Sequence, residues 1–175
     1  MAISSTINKV SLNIANIDAH YYATHELTVA QHPSENDFRF MVRLIAFMVN
    51  ADERLVFTKG LSTDDEPELW QKSLTDEIDL WVELGQPDEK RIRKACGRAK
   101  EVIIYTYHQG KASVWWQQQR EKLARFKNLT LFHIEAEGVS EMVKRTMSLQ
   151  CSIQDGEMYL SDDELNINVQ VKAHL

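Results

Sequence analysis

The chain has 175 residues, of which 43% are hydrophobic and 26% are charged; this composition fits a globular protein with one core and excludes disordered and fibrous classes. The formal net charge of −6 argues against binding to nucleic acid by bulk charge, although it allows a local basic groove. The two cysteines, Cys96 and Cys151, have neither metal-ligand spacing nor a disulfide framework, as expected in a reducing cytosol.

No segment of the sequence predicts targeting or insertion into a membrane. Residues 1–18 alternate apolar and polar side chains and lack the apolar region of a signal peptide. The longest apolar-rich run, residues 38–49, contains Arg39 and Arg43 and is too short to span a bilayer. We therefore expect a cytoplasmic protein without membrane association, and we expect a monomer.

The N-terminal part of the chain predicts a strand pair followed by a helix. Residues 3–14 and 21–30 alternate apolar and polar positions, as two antiparallel strands do. Residues 34–50 carry a wide apolar face, and Ser34 is a suitable N-cap at their start. The first helix is therefore expected to begin at Ser34 and to end near Asn50.

The middle of the chain predicts short strands around an acidic turn, followed by a central strand and a helix. The predicted elements are a strand at 54–58, an acidic turn at 63–67, a helical or bent element at 68–72, a strand at 78–84 and a helix at 88–100. The strand 78–84 has large side chains on both faces, as a central strand has, and a Gly–Gln–Pro break ends it. The helix starts with acids and continues with cations, which suits the helix dipole.

The last part of the chain alternates strands with one further helix. The predicted elements are a strand at 101–107, a turn at 108–111, a helix at 113–126, a strand at 129–135, a hairpin around residues 154–157 and a strand at 166–172. Together with the preceding elements, this order predicts an α/β (α+β) fold in one domain, with a mixed central sheet flanked by helices.

The strand 78–84 carries the carboxylate that is best placed for chemistry. Alternation puts Asp79, Trp81 and Glu83 on one face, with the two acids about 13 Å apart, so both cannot bind one small cation. Glu83 lies next to the chain break, where the crevice outside a strand end forms, and is the expected metal ligand. Asp79 is expected to cap, to pair or to lie at the far edge.

A second carboxylate for a Mg²⁺ or Mn²⁺ site must come from the acidic segment before the strand. The candidates are Asp64, Asp65, Glu66 and Glu68, of which we favour Asp65 and Glu66 as ligands beside Glu83. Such an ion would activate water and stabilise charge on a phosphodiester. The alternative is that the acidic turn is a solvated surface.

The helix 88–100 predicts a basic face near this site. Arg91, Lys94 and Arg98 follow one another at helical spacing and share one side, where they can meet the phosphates of a nucleic acid. The alternative is that these cations only complement the helix dipole and neighbouring acids. The six histidines show no ligand spacing.

Several long segments resemble the YaeQ family of small bacterial proteins. They are DDEPELW, IDLWVELGQPDEKRIRKA and TMSLQCSIQDGEMYLSDD, with HPSE, ADERLVFTKGL and WWQQ in addition. The resemblance covers nearly the whole chain and implies a single domain over residues 1–175. It also implies a variation on the PD-(D/E)xK restriction-endonuclease-like core, with extra N- and C-terminal strands and the core order α-β-β-β-α-β.

The resemblance also implies roles for residues of the site. Pro67–Glu68 is a loose match to the PD element, and Glu83 matches the acid of the (D/E)xK strand, but Gly85 stands where that strand has its lysine. Some members of the superfamily move this cation to the following helix, where Lys94 or Arg91 would supply it. Two functions follow from this pattern. One is a Mg²⁺-dependent nuclease, and the other is a catalytically degenerate nuclease fold that binds a macromolecular partner.

Overall fold

The computed structural model describes residues 4–58 and 65–174, so Asp64 of the acidic turn lies outside the described residues. The strands are β1 (Thr6–Asn16), β2 (Tyr21–Gln31), β3 (Leu55–Phe57), β4 (Leu69–Lys72), β5 (Ile78–Leu84), β6 (Ala99–Thr106), β7 (Leu129–Glu135), β8 (Thr146–Gln154), β9 (Glu157–Ser161) and β10 (Asn166–Ala173). The helices are α1 (Asp37–Val49), α2 (Glu89–Arg98) and α3 (Gln109–Leu123), with a short 3-10 helix at Val139–Met142.

The chain forms two compact units. The first consists of Met1–Val49 and Glu135–Gln170, and the second of Asn50–Ile134 and Val171–Leu175. The mixture of strands and helices confirms the predicted α+β class. In the described part of the chain, no helix has the length and hydropathy needed to cross a bilayer.

In the first unit the strand order is β2-β1-β8-β9-β10. The pair β1–β8 is parallel, and its neighbours pair antiparallel. Alternation along β1 buries Val10, Leu12 and Ile14, as the sequence pattern predicts. The hairpin between β8 and β9 turns at Asp155 and Gly156, whose φ angles of 53° and 76° suit the tight two-residue turns that twist with the strands.

Helix α1 is buried on all sides over residues 40–48. The predicted start at Ser34 is wrong, because Asn36 accepts the Arg39 N–H (2.8 Å) and the helix begins at Asp37. Ser34 instead shares a hydrogen bond of 2.6 Å with the ring of His32. A polar side chain two residues nearer to the apolar face therefore takes the capping position.

In the second unit the strand order is β7-β6-β5-β4-β3. The strands β3, β4 and β5 form an antiparallel meander, and β5, β6 and β7 run parallel, with α2 and α3 in the two connections. Because the three parallel strands end at one edge of the sheet, Glu83 near the end of β5 lies at an edge where sites form in such sheets. The predicted helical or bent element at 68–72 is wrong, since these residues lead into and form β4.

Two predicted boundaries in this unit are also wrong. Residues 109–111, predicted as part of a turn, form the first turn of α3, and His108 is its N-cap. The helix predicted to reach Lys100 ends at Arg98, because Ala99 already pairs with Ile78 at the start of β6. Pairing in the sheet takes precedence over helical propensity at that point.

A buried hydroxyl joins the C-terminal end of the chain to this sheet. Thr106 is fully buried, and its Oγ1 lies 2.7 Å from His133 Nδ1 and 2.8 Å from His174 Nε2. The backbone N–H of His174 donates to the Leu131 carbonyl at 3.0 Å. Burial, followed by the charge of His133, lowers the pKa of His174.

Candidate functional site

Glu83 is a buried carboxylate that receives several donors on one oxygen. Its Oε1 accepts the Trp81 indole N–H at 2.8 Å and the Arg91 Nε–H at 2.9 Å, and Arg91 Nη2 lies 2.9 Å from the same oxygen. The residue is 5% exposed. Burial raises the pKa of Glu83, while the hydrogen bond and charge of Arg91 and the Trp81 N–H act in the opposite direction.

Glu68 supplies a second buried carboxylate beside Glu83. It is 6% exposed and immediately precedes β4, and its N–H donates to the Val82 carbonyl at 3.0 Å. Its negative charge adds a last and smaller contribution to the raised pKa of Glu83. Glu68, one of the four acids considered from the sequence, is therefore buried and acts on the charge state of Glu83.

Arg91 is directed to Glu83 by the start of α2. The Asp88 side chain accepts the Arg91 N–H at 2.8 Å and caps the helix, which fixes the first turn. The Arg91 side chain then reaches back to β5, and its Nη2 also donates to the Glu66 carbonyl at 2.8 Å. Of the two cations expected to replace the missing lysine, Arg91 is thus the one that contacts Glu83.

Lys94 pairs with the acidic segment. Its Nζ lies 2.6 Å from Asp65 Oδ1, and both side chains are exposed, at 49% and 80%. The hydrogen bond and charge of Lys94 lower the pKa of Asp65, with smaller effects from Arg98 and Arg91. Asp65, which we favoured as a metal ligand, therefore lies at the surface in an ion pair.

Arg98 completes the basic face that the sequence predicts on α2. Its Nη1 donates to the Asp65 carbonyl at 2.7 Å, and its guanidinium lies 5.1 Å from the centre of the Trp81 ring. Arg91, Lys94 and Arg98 therefore do share one side of the helix. Their side-chain contacts include residues 65 and 66 and the β5 side chains Trp81 and Glu83.

Gly85 has a backbone conformation that explains why no lysine stands there. Its φ angle is +91°, in the region that residues other than glycine rarely adopt. Among the described residues, a Cβ at this position would meet Tyr107 Cε1 at 4.0 Å, an ordinary contact, so the obstacle that they show is backbone strain. The Gly85 N–H donates to the Tyr105 carbonyl at 2.9 Å, which holds the chain in this turn.

The described residues contain no group of three or more His, Cys, Asp or Glu side chains that could hold a metal ion. The buried pair Glu68 and Glu83 nevertheless matches the needs of Mg²⁺, which commonly takes one or two carboxylates and completes its shell with water and substrate phosphate.

Asp79, expected to pair or to lie at the edge, forms ion pairs with Arg54 and Lys100 at 3.6 and 3.2 Å.

Sequence reasoning gives too little weight to two features of the site. One is Glu68, which is a candidate ligand and a loose match to the PD element but is not among the favoured ligands; its neighbours Pro67 and Leu69 are apolar, whereas the neighbours of Asp65 are acidic. The other is the indole donor of Trp81, whose place on the Glu83 face follows from strand alternation.

Comparisons with known proteins agree over nearly the whole chain. A family model described as "YaeQ protein" matches residues 1–171. The "Uncharacterized protein YaeQ" of Escherichia coli (strain K12) is 47% identical over 176 residues, which cover 99% of this chain and 97% of that protein. The crystal structure of the YaeQ protein from Xanthomonas axonopodis pv. citri has a TM-score of 0.94 at 40% identity and covers 98% of both chains. That of the YaeQ protein from Pseudomonas syringae has a TM-score of 0.92 at 30% identity and covers 98% of this chain and 96% of that one.

Proposed function

The chain belongs to the YaeQ family, and on that premise we propose that it is a Mg²⁺- or Mn²⁺-dependent phosphodiesterase that acts on nucleic acid. The observation that carries the proposal is the pair of buried carboxylates, Glu68 and Glu83, at the edge where the parallel strands end. A basic helix face begins beside them at Arg91. Glu83 combines burial, a raised pKa and a neighbouring cation, which is typical of functional sites.

The order of elements supports the same proposal. In the chain, α1 is followed by the antiparallel strands β3, β4 and β5, then by α2 and by β6, which pairs parallel with β5. This is the α-β-β-β-α-β order of the PD-(D/E)xK core that the family resemblance implies. In that core the acid after the proline and the acid of the third strand bind the metal, which would be the roles of Glu68 and Glu83.

The ligand set that we propose therefore replaces Asp65 and Glu66 by Glu68. Asp65 is exposed and paired with Lys94, and Glu66 offers its carbonyl to Arg91. A metal ion between two carboxylates would lower the pKa of a bound water and stabilise negative charge on the phosphodiester. It would also remove the repulsion between the two buried acids.

The cations of the chain would bind and orient the substrate. Arg91 would give one of its N–H groups to a phosphate oxygen and so stabilise charge there in place of the missing lysine. Its positive charge would also favour the ionised form of Glu83. Lys94 lies one turn further along α2 and would contact the phosphate backbone nearer to the surface. The Trp81 N–H holds Glu83 Oε1 and fixes the orientation of its carboxylate.

The test is cleavage of single-stranded and double-stranded DNA and RNA with Mg²⁺ and with Mn²⁺. Glu83→Gln and Glu68→Gln are each expected to abolish cleavage, whereas Glu89→Gln, which changes an acid of α2 outside the pair, keeps it. Calorimetry with Mn²⁺ measures the metal site directly. The proposal fails if the wild type cleaves none of these substrates and Mn²⁺ binds equally to the wild type and to Glu83→Gln.

A second function is favoured by one observation: Arg91 directs two nitrogens to Glu83 and so competes with any cation there. On this view the fold has lost catalysis and binds a macromolecular partner, with the guanidinium as a permanent counter-ion. Arg91→Met separates the two functions. A degenerate site gains Mn²⁺ affinity in this variant without gaining cleavage, whereas a catalytic site loses cleavage.

A further inference from the structure

We propose that Lys94 and Arg98 form a subsite for the phosphates of a nucleic-acid backbone, and that Asp65 occupies it in the free protein as a phosphate mimic, with the Glu66 carbonyl on the neighbouring Arg91. The inference rests on the proposed function, because it concerns the substrate of the same site. Beyond the buried acids, the inference gives the nucleic-acid backbone a binding position on α2. It also identifies the Asp65 contact as one that the substrate must displace.

The geometry of residues 65 and 66 is the first observation. Three oxygens from these two residues meet three cations of α2 at charge-assisted hydrogen-bond distances. The Asp65 carboxylate binds Lys94 at 2.6 Å, the Asp65 carbonyl binds Arg98 at 2.7 Å and the Glu66 carbonyl binds Arg91 at 2.8 Å. One anionic oxygen and two neutral ones within two residues resemble the oxygens that a phosphodiester backbone presents.

The difference in burial between the two ion pairs is the second observation. The Glu83 side chain in its pair with Arg91 is 6% exposed, whereas the Asp65 side chain in its pair with Lys94 is 80% exposed. An exposed pair stays in contact with water and contributes little to folding, so a phosphate can replace the carboxylate at low cost. The buried pair of Glu83 with Arg91 is therefore expected to stay in place, whereas the exposed pair of Asp65 with Lys94 can exchange with a phosphate.

Local charge selects the ligand. Helix α2 carries five Lys or Arg residues and one acid, in a chain whose net charge is −6. A polyanion is therefore attracted to this helix, whereas the rest of the chain carries a net negative charge. Arg98 lies over the Trp81 ring, and the Trp81 indole binds Glu83, so the subsite is linked to the buried acids through one rigid side chain.

Binding without hydrolysis tests the inference independently of catalysis. The probes are a fluorescein-labelled DNA oligonucleotide and its duplex, followed by anisotropy in EDTA with the intact Glu83→Gln protein as background. We expect Asp65→Asn to raise affinity by at least about threefold, because Lys94 becomes available. Lys94→Ala and Arg98→Ala should lower affinity and reduce the salt slope by about one unit each.

Two matched controls separate the subsite from general charge effects. Glu89→Gln removes an acid from the first turn of α2 and releases Arg125 from an ion pair of the same length, 2.6 Å, yet it should leave affinity nearly unchanged. Arg93→Ala removes an exposed cation that lies next to Lys94 in sequence and so faces another side of the helix; it should matter less than Lys94→Ala.

The combination of Asp65→Asn with Lys94→Ala decides the outcome. If Asp65 acts by occupying Lys94, its substitution brings no gain once Lys94 is absent. An equal gain with and without Lys94, or an equal gain from Glu89→Gln, overturns the subsite. Competition by millimolar inorganic phosphate as strong as that by unlabelled oligonucleotide overturns the assignment to nucleic acid. Cleavage assays play no part here, so failure of this coupling leaves the proposed hydrolysis standing, and absence of hydrolysis leaves the coupling measurable.

Discussion

Replacement of Arg91 by methionine should show how much the buried Glu83 carboxylate lowers the free energy of unfolding when its counter-ion is absent. The substitution keeps an unbranched apolar stem but removes the donors at 2.9 Å from Glu83 Oε1. Removal of one partner of a buried ion pair costs about 3 to 5 kcal/mol, and because the Arg91 side chain is 25% exposed we expect the lower end, about 3 kcal/mol. This is a large share of the roughly 5 to 15 kcal/mol that stabilises a typical domain.

The dependence of this loss on pH identifies its cause. Glu83 already has a raised pKa in the folded protein, and without Arg91 the pKa rises further. The ordinary pKa of a glutamate carboxyl is near 4.5. When the pKa is higher in the folded protein, the group does not lower the free energy of unfolding below pH 4.5, but lowers it increasingly as the pH rises towards the folded pKa. The deficit of Arg91→Met should therefore be larger at pH 8 than at pH 5, and Glu83→Gln in the same chain should relieve most of it.

Urea denaturation at both pH values, followed by tryptophan fluorescence, measures the effect. Arg125→Met is the matched control, since it makes the same substitution in an exposed ion pair of 2.6 Å with Glu89 and should cost less than about 1 kcal/mol. The reasoning is refuted if the two variants lose equal stability at pH 8, or if the Arg91→Met deficit is the same at both pH values.

Three further outcomes follow from other parts of the structure. Gly85→Lys and Gly85→Ala should both lose about 1 to 2 kcal/mol in urea denaturation because φ is +91°, and equal losses would show that strain rather than side-chain size is responsible. Thr106→Val should lower the free energy of unfolding by about 1 to 2 kcal/mol, because the hydroxyl that contacts His133 and His174 is removed. Because the pKa of His174 is lowered in the folded protein, the stability of the wild type should fall as the pH drops below 6.5. This fall should be less steep in His174→Gln. Burial raises the pKa of Cys151 to about 12 and that of Cys96 to about 11, so a thiol reagent should modify the half-buried Cys96 first and Cys151 only in urea; equal rates in buffer contradict this.

The parts of the site that follow one periodicity could be predicted from the sequence. Alternation along β5 puts Trp81 and Glu83 together, and helical spacing puts Arg91, Lys94 and Arg98 on one side of α2. Both relations depend only on residues within the same element, where backbone geometry fixes which side chains are neighbours.

Relations between elements could not be predicted in this way. Asp65 and Glu68 are separated by two residues, yet in the folded chain Glu68 is buried and Asp65 is exposed, a difference that tertiary packing sets. Similarly, the spacing of Arg91 and Lys94 does not tell which reaches Glu83, because this depends on the direction in which Asp88 starts the helix. The start of α1 at Asp37 instead of Ser34 has the same origin, a choice between two nearby caps.

The contact between the Trp81 indole and Glu83 gives the protein an intrinsic optical probe of its own candidate site. Indole emission responds to charges near the ring, and this ring has a carboxylate on its N–H and the guanidinium of Arg98 over its face. Because Trp81 is only 1% exposed, bulk solvent contributes little to changes in its emission. A cation beside Glu83 or a polyanion that draws Arg98 away would each change the fluorescence, and the difference from Trp81→Phe isolates this tryptophan from the other three.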